Sequence, residues 1–306
     1  MTAALRADVY TRVTDYIIAD LEKGVRPWQK PWINRRGGAA FVQPRRASGE
    51  PYRGINVVLL WAEAVDKGYV SPCWMTYKQA GEMGAQVRKG EKGSLVVYAN
   101  TYTKTDDKDG EDVERKIPFM RAYTVFNVEQ IDGLPEHFYP VTSLPDGAAD
   151  VAATAGIEHA DAFVAASGAR VRHGGDSAYY SPVVDFIQIP PRESFTGVGG
   201  YYSTLLHELA HWSGHGSRLN RDLSGRFGSE SYAMEEIIAE LANAFLCAQL
   251  GIEPEIRDDH AAYVGSWLTV LKQDRRAIFA AASHAQRAAD YLHGLQGGSA
   301  VAEVAA

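Results

Sequence analysis

The run LLHELAHW, which contains the pattern H-E-x-x-H at residues 207–211, constrains this chain more than any other feature of its sequence. On an α-helix, positions i and i+4 lie one turn apart on the same face, so the imidazoles of His207 and His211 can reach one metal ion. Glu208 follows the first histidine, where it can act as a base toward water activated by that ion. Apolar residues around the motif predict a helix near residues 200–214. The alternative is an ordinary helix with two surface histidines.

A catalytic zinc site needs three protein ligands and one open position. A predicted helix near residues 230–250 offers two candidates for the third ligand, Glu236 and Glu240. Glu240 is the only charged residue between Ile237 and Leu250, and a lone buried carboxylate is costly unless it is paired or bound to a metal. We predict Glu236 as the ligand and Glu240 as the acceptor for the N–H of a ligand histidine. Two alternatives stay open: Glu240 is itself the ligand, or the acids only favour the helix start.

Other polar residues near the motif receive weaker assignments. His215 continues the i+4 series, but in a continuous helix it lies about 12 Å along the axis from His207, too far to share one ion. We therefore exclude His215 from the ligands. A donor to a developing oxyanion would be Tyr232, His260 or Tyr263, and the sequence does not decide among them.

The length of 306 residues exceeds the usual size of one domain, so we predict two domains. Proline and turn residues concentrate in residues 136–148, which we interpret as a linker between a first domain, 1–135, and a second domain, 149–306. Helical and alternating patterns are mixed in the first domain, whereas long helical patterns dominate the second. The predicted fold class is α+β, with a mixed α/β first domain and a mainly helical second domain.

The sequence carries no sign of a membrane or secretory location. Its longest apolar runs fall far short of the roughly 18 residues that cross a bilayer, and its first residues lack the apolar stretch of a signal peptide. The two cysteines, Cys73 and Cys247, lie far apart without metal-knuckle partners, which is typical of a reducing compartment. We therefore expect a cytoplasmic protein with no membrane partner.

Charge is distributed unevenly along the chain. The net charge is −7, but residues 1–140 carry a net charge of +2 and residues 141–306 a net charge of −9. Residues 23–53 contain eight basic side chains and one acid, whereas six acids cluster between residues 106 and 114. The overall acidity therefore leaves room for a local polyanion site in the first domain.

Two loop-rich segments of the first domain combine basic side chains with aromatic rings, as single-strand binders do. Basic groups follow the phosphate backbone, and accessible rings stack on bases. The alternative is that the tryptophans anchor loops to a small core and that Asn56 caps a helix. The predicted nucleic-acid contacts are Trp28, Lys30, Trp32, Arg35, Arg53, Asn56, Trp74, Lys78, Lys89 and Lys92.

Six segments of the sequence together resemble the ArdC-type antirestriction proteins. In the first domain they are DVYTRVTDYIIADLEKGVRPWQKPW, YRGINVVLLW and WMTYKQAGEMGAQVRKGEKGSLVVY. In the second domain they are HELAHWSGHGSRLNR, FGSESYAMEEIIAELANAFL and WLTVLKQDRRAIFAAASHAQRAADYL. Apart from the zinc motif each segment alone would be a weak signal, but the ordered set is specific and covers nearly the whole chain.

The resemblance implies a single-stranded-DNA-binding domain, of a type also attached to plasmid primases, followed by a zincin-like metallopeptidase domain. It also implies a protein of plasmids or other mobile elements that protects incoming DNA from host restriction. Gluzincins place their carboxylate ligand in an E-x-x-x-[DE] pair, so the resemblance favours Glu236 as the ligand, with Glu240 as the second acid. The implied cofactor is one Zn²⁺ ion, with another divalent metal as the alternative.

The resulting hypothesis joins sequence-tolerant binding of single-stranded DNA to metal-assisted peptide hydrolysis. Zinc on His207, His211 and Glu236 would lower the pKa of its water, and Glu208 would pass the proton to the leaving amine. One rival is a non-enzymatic protein that masks DNA and uses the metal only for folding. Another is a DNA-directed protease that cleaves a restriction subunit or another DNA-bound protein.

Overall fold

The chain is represented by a computed structural model that describes residues 3–26, 28, 42–108, 111–139, 148–226, 228–253 and 261–296. It forms two compact units: the first contains Met1–Ile17 and Pro44–Pro140, and the second contains Ile18–Gln43 and Val141–Ala306. Residues 18–43 therefore group with the second unit, whereas the sequence prediction assigned them to the first domain. The predicted limits of the two domains and of the linker stay a prediction.

The described part of the first unit mixes short helices with a β-sheet. Its helices are α1 (Ala3–Glu22, which continues into the second unit), α2 (Ile55–Lys67) and α3 (Tyr77–Glu82). Its strands are β1 (Arg45–Arg46), β2 (Cys73–Met75), β3 (Gln86–Val87), β4 (Ser94–Lys108), β5 (Glu111–Asn127) and β6 (Ile131–Asp132). Single turns of 3₁₀-helix lie at Val128–Gln130 and Glu136–Phe138.

The strands of the first unit form two sheets. The larger sheet has the order β1-β2-β5-β4, with β1 and β2 parallel and the other neighbours antiparallel. The smaller sheet pairs β3 with β6 antiparallel. Strands β4 and β5 form a long two-stranded ribbon in which Ser94 pairs with Val125 at one end and Lys108 with Glu111 at the other. Helix α2 packs against β4 and buries its apolar face there.

Local sequence sets the ends of the helices in the first unit. Helix α2 ends at Gly68, whose φ of 71° lies in the left-handed region that glycine occupies without a steric penalty. Helix α3 begins with a capping box, in which the Thr76 hydroxyl accepts from the Gln79 N–H and the Gln79 side chain accepts from the Thr76 N–H. These two signals explain why the helices stop and start where they do.

The second unit is mainly helical. Its further helices are α4 (Ala148–Ser167), α5 (Val198–Ser213), α6 (Glu230–Leu250), α7 (Ala261–Gln273) and α8 (Ala277–Gly294). Its strands are β7 (Val171–His173), β8 (Tyr179–Ser181) and β9 (Phe186–Ile189), in the order β7-β9-β8, with β7 parallel and β8 antiparallel to β9. The predicted α+β class, with a mixed first part and a mainly helical second part, is confirmed.

Helix α6 is the centre of the second unit. It packs against α5, α7 and α8, and almost every residue from Glu235 to Leu250 is buried. Its N-terminus is capped by Ser229, whose hydroxyl accepts from the Tyr232 N–H, and it ends at Gly251 with a φ of 69°. The facing side of α8 is rich in buried alanine, which lets the two helix backbones approach closely. Among the described helices, none has the length and apolarity that crossing a bilayer requires.

Candidate metal centre

Two imidazoles meet on one face of α5. His207 and His211 lie one turn apart, and their Nε2 atoms are 3.1 Å from each other. The rings stand edge to face with centroids 4.8 Å apart. Helix α5 is buried along most of its length, and the His207 side chain is 4% exposed, so packing fixes its direction. Both imidazoles therefore point at a common place, as the helical spacing predicted.

Glu236 of α6 approaches the same place from the neighbouring helix. Its carboxylate oxygens lie 3.6 Å from His207 Nε2 and 3.6 Å from His211 Nε2. Ligand atoms held about 2.0–2.1 Å from a tetrahedral zinc ion lie roughly 3.3 Å from one another. The observed separations of 3.1 and 3.6 Å are close to that value, and two imidazoles with one carboxylate form a known catalytic zinc set. The donor atoms of His207, His211 and Glu236 thus fit one divalent ion.

Each imidazole has a second carboxylate behind it. Glu240 Oε1 lies 3.5 Å from Nδ1 of His207, the position predicted from the sequence for an acceptor. Glu235 Oε1 lies 3.1 Å from Nδ1 of His211. Carboxylates at Nδ1 favour the tautomer that carries its proton there and leaves Nε2 as the free ligand atom. Both rings are therefore oriented with Nε2 toward the common place.

The Glu235 carboxylate is itself held by Arg221, which lies in the loop between α5 and α6. The Arg221 guanidinium donates to both oxygens, from Nε at 2.9 Å and from Nη2 at 2.8 Å. The same guanidinium donates to the backbone oxygen of Ala210 and to the hydroxyl of Ser213 near the end of α5. Glu235 was not predicted from the sequence as a partner of the site. Its only signal was its place beside Glu236, and its partner Arg221 lies in a loop whose path the sequence does not give.

Charge in the site favours a cation. Burial works against an ionised Glu236, but its hydrogen bond with His207 and the nearby imidazoles lower its pKa to about 2. Burial also opposes protonation of His211, yet the hydrogen bond to Glu235 and the charge of Glu236 raise the pKa of His211 to about 9. The pKa of Glu235 is lowered in spite of its burial by His211 and Arg221. The carboxylates thus create a field that attracts positive charge to the imidazole pair.

Glu208 lies beside this group and opens onto the same cavity. The cavity has a volume of about 320 Å³. Glu208 is not one of the three residues whose donor atoms converge, which are His207, His211 and Glu236. It is 4% exposed. The lining residues that matter for chemistry are His207, Glu208, His211, Glu236, Tyr232 and Tyr263, and strand β8 borders the cavity through Tyr179 and Tyr180. A substrate in this cavity would reach the candidate base and the candidate ligands together.

Two of the three predicted donor candidates line the cavity. The hydroxyls of Tyr232 and Tyr263 lie 3.3 Å apart, and burial, the hydrogen bond with Tyr263 and the charge of Glu236 raise the pKa of Tyr232. Tyr232 is therefore a neutral hydrogen-bond donor at neutral pH. His260 lies outside the described residues. His215 is separate from the group, because α5 ends at Ser213 and the His215 ring bonds to Ser217.

The two described tryptophans of the predicted nucleic-acid set are buried, which corrects the expectation that loops keep their rings accessible. Trp28 is 1% exposed and packs against Trp267 of α7, with ring centroids 5.9 Å apart. Trp74 is 1% exposed in β2 and contacts Tyr69 edge to face. Neither ring offers a free face to a base, so both behave as the core anchors that the sequence analysis gave as the alternative.

The other residues predicted to contact nucleic acid lie in different environments. The Asn56 amide donates to the backbone oxygen of Val97 at 2.7 Å and accepts from the Val97 N–H at 2.8 Å, so it holds strand β4 instead of being free to contact phosphate. Lys78 is 84% exposed and forms an ion pair with Glu82 at 3.4 Å. Three further basic residues are exposed on the surface: Arg53, Lys89 and Lys92. Three members lie outside the described residues: Lys30, Trp32 and Arg35.

Comparisons with known proteins account for both halves of the chain. Residues 7–126 match the N-terminal domain of anti-restriction factor ArdC, and residues 158–284 match the zincin-like metallopeptidase family. The crystal structure of the metal-free antirestriction protein ArdC from plasmid R388 shares 47% sequence identity with this chain. It covers 94% of this chain and 98% of its own, with a TM-score of 0.78. This chain belongs to the ArdC family of antirestriction proteins.

Other similar proteins support the same assignment. A second crystal structure of R388 ArdC, with Mn(II) bound, shares 46% identity, covers 95% of this chain and 99% of that one, and has a TM-score of 0.74. A protein of Sinorhizobium fredii described as uncharacterized protein y4eC is 46% identical over 94% of this chain and 92% of its own length. The DNA primase TraC of Escherichia coli is 40% identical over 95% of this chain, which spans only 27% of the primase. The resemblance inferred from the six sequence segments is thus confirmed.

Proposed function

We propose that this chain is an antirestriction protein that binds single-stranded DNA without sequence preference and hydrolyses a peptide bond at one zinc site. The antirestriction role is the one that names the family to which the chain belongs. The observation that carries the chemical part is the convergence of His207 Nε2, His211 Nε2 and the Glu236 carboxylate at separations of 3.1 to 3.6 Å. A crystal structure of R388 ArdC has Mn(II) bound, which supports a divalent metal in this chain, and the donor set of His207, His211 and Glu236 favours zinc.

His207, His211 and Glu236 would hold the ion, while Glu240 and Glu235 keep the two rings in place. The chemistry such an ion supplies is Lewis acidity toward a peptide carbonyl and a lowered pKa of water. Glu208 borders the same cavity, and in this proposal it takes a proton from water and returns it to the leaving amine. Tyr232 and Tyr263 place hydroxyl donors in the cavity, where they can stabilise a developing oxyanion.

The DNA-binding part of the proposal rests on the family of the first unit and on the local charge of the sequence. Residues 7–126 match the N-terminal domain of ArdC, and an ArdC-like region also occurs within a DNA primase. The protein substrate of the peptidase would then be a protein that meets the entering strand, such as a restriction subunit or another DNA-bound protein.

Replacing Glu208 by Gln tests the proposed chemistry. The amide keeps the size of the side chain and leaves the three ligand groups untouched, but it cannot accept a proton from water. We expect the variant to keep one equivalent of zinc by elemental analysis of the purified protein. We also expect it to lose most of its protection of incoming DNA in a host with an active restriction system.

Two histidine variants test whether the group of His207, His211 and Glu236 binds the metal. His207→Ala should lose the metal, whereas His215→Ala, in which a histidine outside the group is removed, should keep it. If Glu208→Gln protects DNA as well as the wild type, peptide hydrolysis has no part in the biological role, and a DNA-masking protein with a structural metal remains. If the wild type itself contains no metal, the site is not a metal centre.

A further inference from the structure

A row of aromatic rings lies on one side of the ribbon formed by β4 and β5. In the register of the ribbon, Tyr98 pairs with Arg121, so Phe119 and Tyr123 are its two diagonal neighbours. The Tyr98 ring centroid lies 6.0 Å from that of Phe119 and 6.4 Å from that of Tyr123. We call Phe119, Tyr98, Tyr123 and the adjoining Arg121 the aromatic row.

Two rings of the aromatic row, those of Tyr98 and Tyr123, are open to solvent, unlike the tryptophans. Tyr98 is 45% exposed and Tyr123 is 42% exposed, whereas Trp28 and Trp74 are each 1% exposed. Large aromatic side chains are normally buried, so two exposed rings in contact with each other form a notable surface. Single-strand binders need accessible rings of this kind, because bases stack on their faces irrespective of sequence.

A positive charge lies within the aromatic row. Arg121 is exposed, and its guanidinium carbon lies 5.4 Å from the centre of the Phe119 ring. A guanidinium held over a ring can contact phosphate while its flat face still stacks on a base. The exposed rings therefore have one basic side chain among them.

The acidic tip of the ribbon lies too far away to repel a strand at the aromatic row. The nearest acid of the tip is Glu114, which pairs with Thr105. Thr105 follows Tyr98 by seven residues, or about 24 Å of extended strand. This distance is about three Debye lengths at physiological ionic strength. The repulsion between the tip and a phosphate at Tyr98 is thus largely screened.

We propose that the aromatic row is the surface on which the first unit binds single-stranded DNA. Tyr98 and Tyr123 stack on bases, and Arg121 contacts the phosphate backbone. The proposal rests on the proposed DNA binding and assigns it to a place that the sequence analysis did not predict. It replaces Trp28 and Trp74 as the stacking residues, and it lies within the part of the chain that matches the ArdC N-terminal domain.

Fluorescence anisotropy with a labelled oligothymidylate measures the effect of removing each ring from the full-length protein. Tyr98→Ala and Tyr123→Ala should each weaken binding on the order of 10-fold, because each removes one stacking partner. Arg121→Gln should weaken binding and also reduce the slope of log affinity against log salt, because one phosphate contact is lost. Tyr98→Phe keeps the ring and should bind nearly as the wild type does.

Tyr77→Ala is the matched control, since Tyr77 is a tyrosine of the same unit that is 56% exposed, lies in α3 and is not part of the aromatic row. Its removal should leave binding unchanged. An oligonucleotide with 5-iododeoxyuridine, crosslinked to the wild-type protein by light, should attach to peptides of β4 and β5 identified by mass spectrometry. This readout does not depend on the folding of any variant.

The outcomes separate the aromatic row from the broader DNA-binding proposal. A wild-type protein that fails to bind the oligonucleotide overturns the DNA-binding part of the proposed function, and the aromatic row with it. Crosslinks that map elsewhere overturn the aromatic row alone, as does a loss of affinity in Tyr77→Ala equal to that in Tyr98→Ala. Tyrosine variants that lose antirestriction while keeping full DNA affinity would mean that the row binds a protein, which also overturns the proposal.

Discussion

The two imidazoles of the candidate metal centre are supported by carboxylates of different character. Glu240 lies among apolar neighbours in α6 and is 2% exposed. The Glu235 carboxylate contacts His211 on one side and Arg221 on the other, and the Arg221 side chain is 3% exposed. Carboxylates behind metal-binding histidines fix the ring and raise its basicity. Arg221 also donates hydrogen bonds to the end of α5. Glu235 and Arg221 together therefore connect α5, which carries the two histidines, to the loop that follows it.

Glu235→Gln should weaken metal binding by about 10-fold, at the lower end of the range for such outer groups. The amide oxygen can still accept from Nδ1 of His211, but it carries no charge and forms a weaker bond to Arg221. Competition with a chromophoric chelator measures the affinity under conditions where the protein is folded.

Glu230→Gln is the matched control for that experiment. Glu230 lies in the first turn of the same helix and is exposed, so its loss should leave the metal affinity unchanged. An unchanged affinity in Glu235→Gln would mean that Glu235 serves only to neutralise Arg221. The free energy of unfolding, measured with urea in both variants, separates that structural contribution from the effect on the ion.

At the scale of elements, one cation ties the β8–β9 hairpin to the loop after α5. Arg218 donates to Asp185 at 2.6 and 3.0 Å and to the Tyr180 hydroxyl at 3.1 Å. The same side chain donates to the Trp212 backbone oxygen and lies 3.8 Å from the centre of the Trp212 ring. Because Tyr180 belongs to β8, which borders the cavity, this contact helps to fix one wall of the site.

The ion pair in that contact should make a small, pH-dependent contribution to stability. The hydrogen bonds from Arg218 are the main reason that the pKa of Asp185 falls from 3.8 to about 2. A lowered pKa means that the contribution is fully present above pH 3.8 and is lost as the pH falls through about 2. Asp185→Asn should cost less than about 1 kcal/mol at pH 7, because the carboxylate is 40% exposed and screened by solvent.

Asparagine is the appropriate replacement because Asp185 has a φ of 49°, a conformation that asparagine also tolerates. Urea unfolding of the wild type and the variant at pH 7 and at pH 2 measures the difference in the free energy of unfolding. That difference should shrink at the lower pH. A difference that stays the same at both pH values would show that hydrogen-bond geometry, and not charge, is responsible.

Long elements of this fold were predictable from the sequence, whereas very short ones were not. The predicted helix at residues 230–250 matches α6, because capping serine and terminal glycine frame a long apolar run. The two-residue strand β1 and the three-residue strand β7 were not predicted. A strand of two or three residues has no measurable alternation, and its existence depends on a partner distant in sequence. The same reason explains why the contact of Glu235 with Arg221 was missed.

At the scale of the whole molecule, a negative net charge does not exclude binding of nucleic acid. The chain has a net charge of −7, so a protein with uniform charge would repel nucleic acid. The proposed DNA binding therefore depends on local basic residues in the first unit. Affinity for a single-stranded oligonucleotide should fall steeply with salt, with a slope in log–log form of about −0.7 for each phosphate contacted. Anisotropy titrations between low and physiological salt measure this slope.

A fully duplex oligonucleotide of the same sequence is the comparison for that measurement. It should bind more weakly, since its bases are already stacked and cannot use exposed rings. Binding that does not change with salt would contradict the electrostatic part of the proposal. Equal affinity for the duplex would contradict the preference for single strands.

The sequence identified both halves of the molecule but not which rings lie on the surface. The motif at residues 207–211 predicted a pair of histidines on one helix face, and local helical geometry was enough to show this. The burial of Trp28 depends on Trp267, far along the chain, and composition carries no information about such a contact. A loop rich in aromatic and basic residues therefore predicts a surface only until the packing partners are known.

The double hydrogen bond between Asn56 and Val97 has a consequence for self-association. Strand β4 is at the border of its sheet, where unpaired N–H and C=O groups would form a template for another chain. Asn56 occupies both backbone groups of Val97, so a foreign strand cannot continue a ladder through that residue. One amide side chain on α2 thus blocks strand pairing at Val97, three residues from the start of this fifteen-residue border strand.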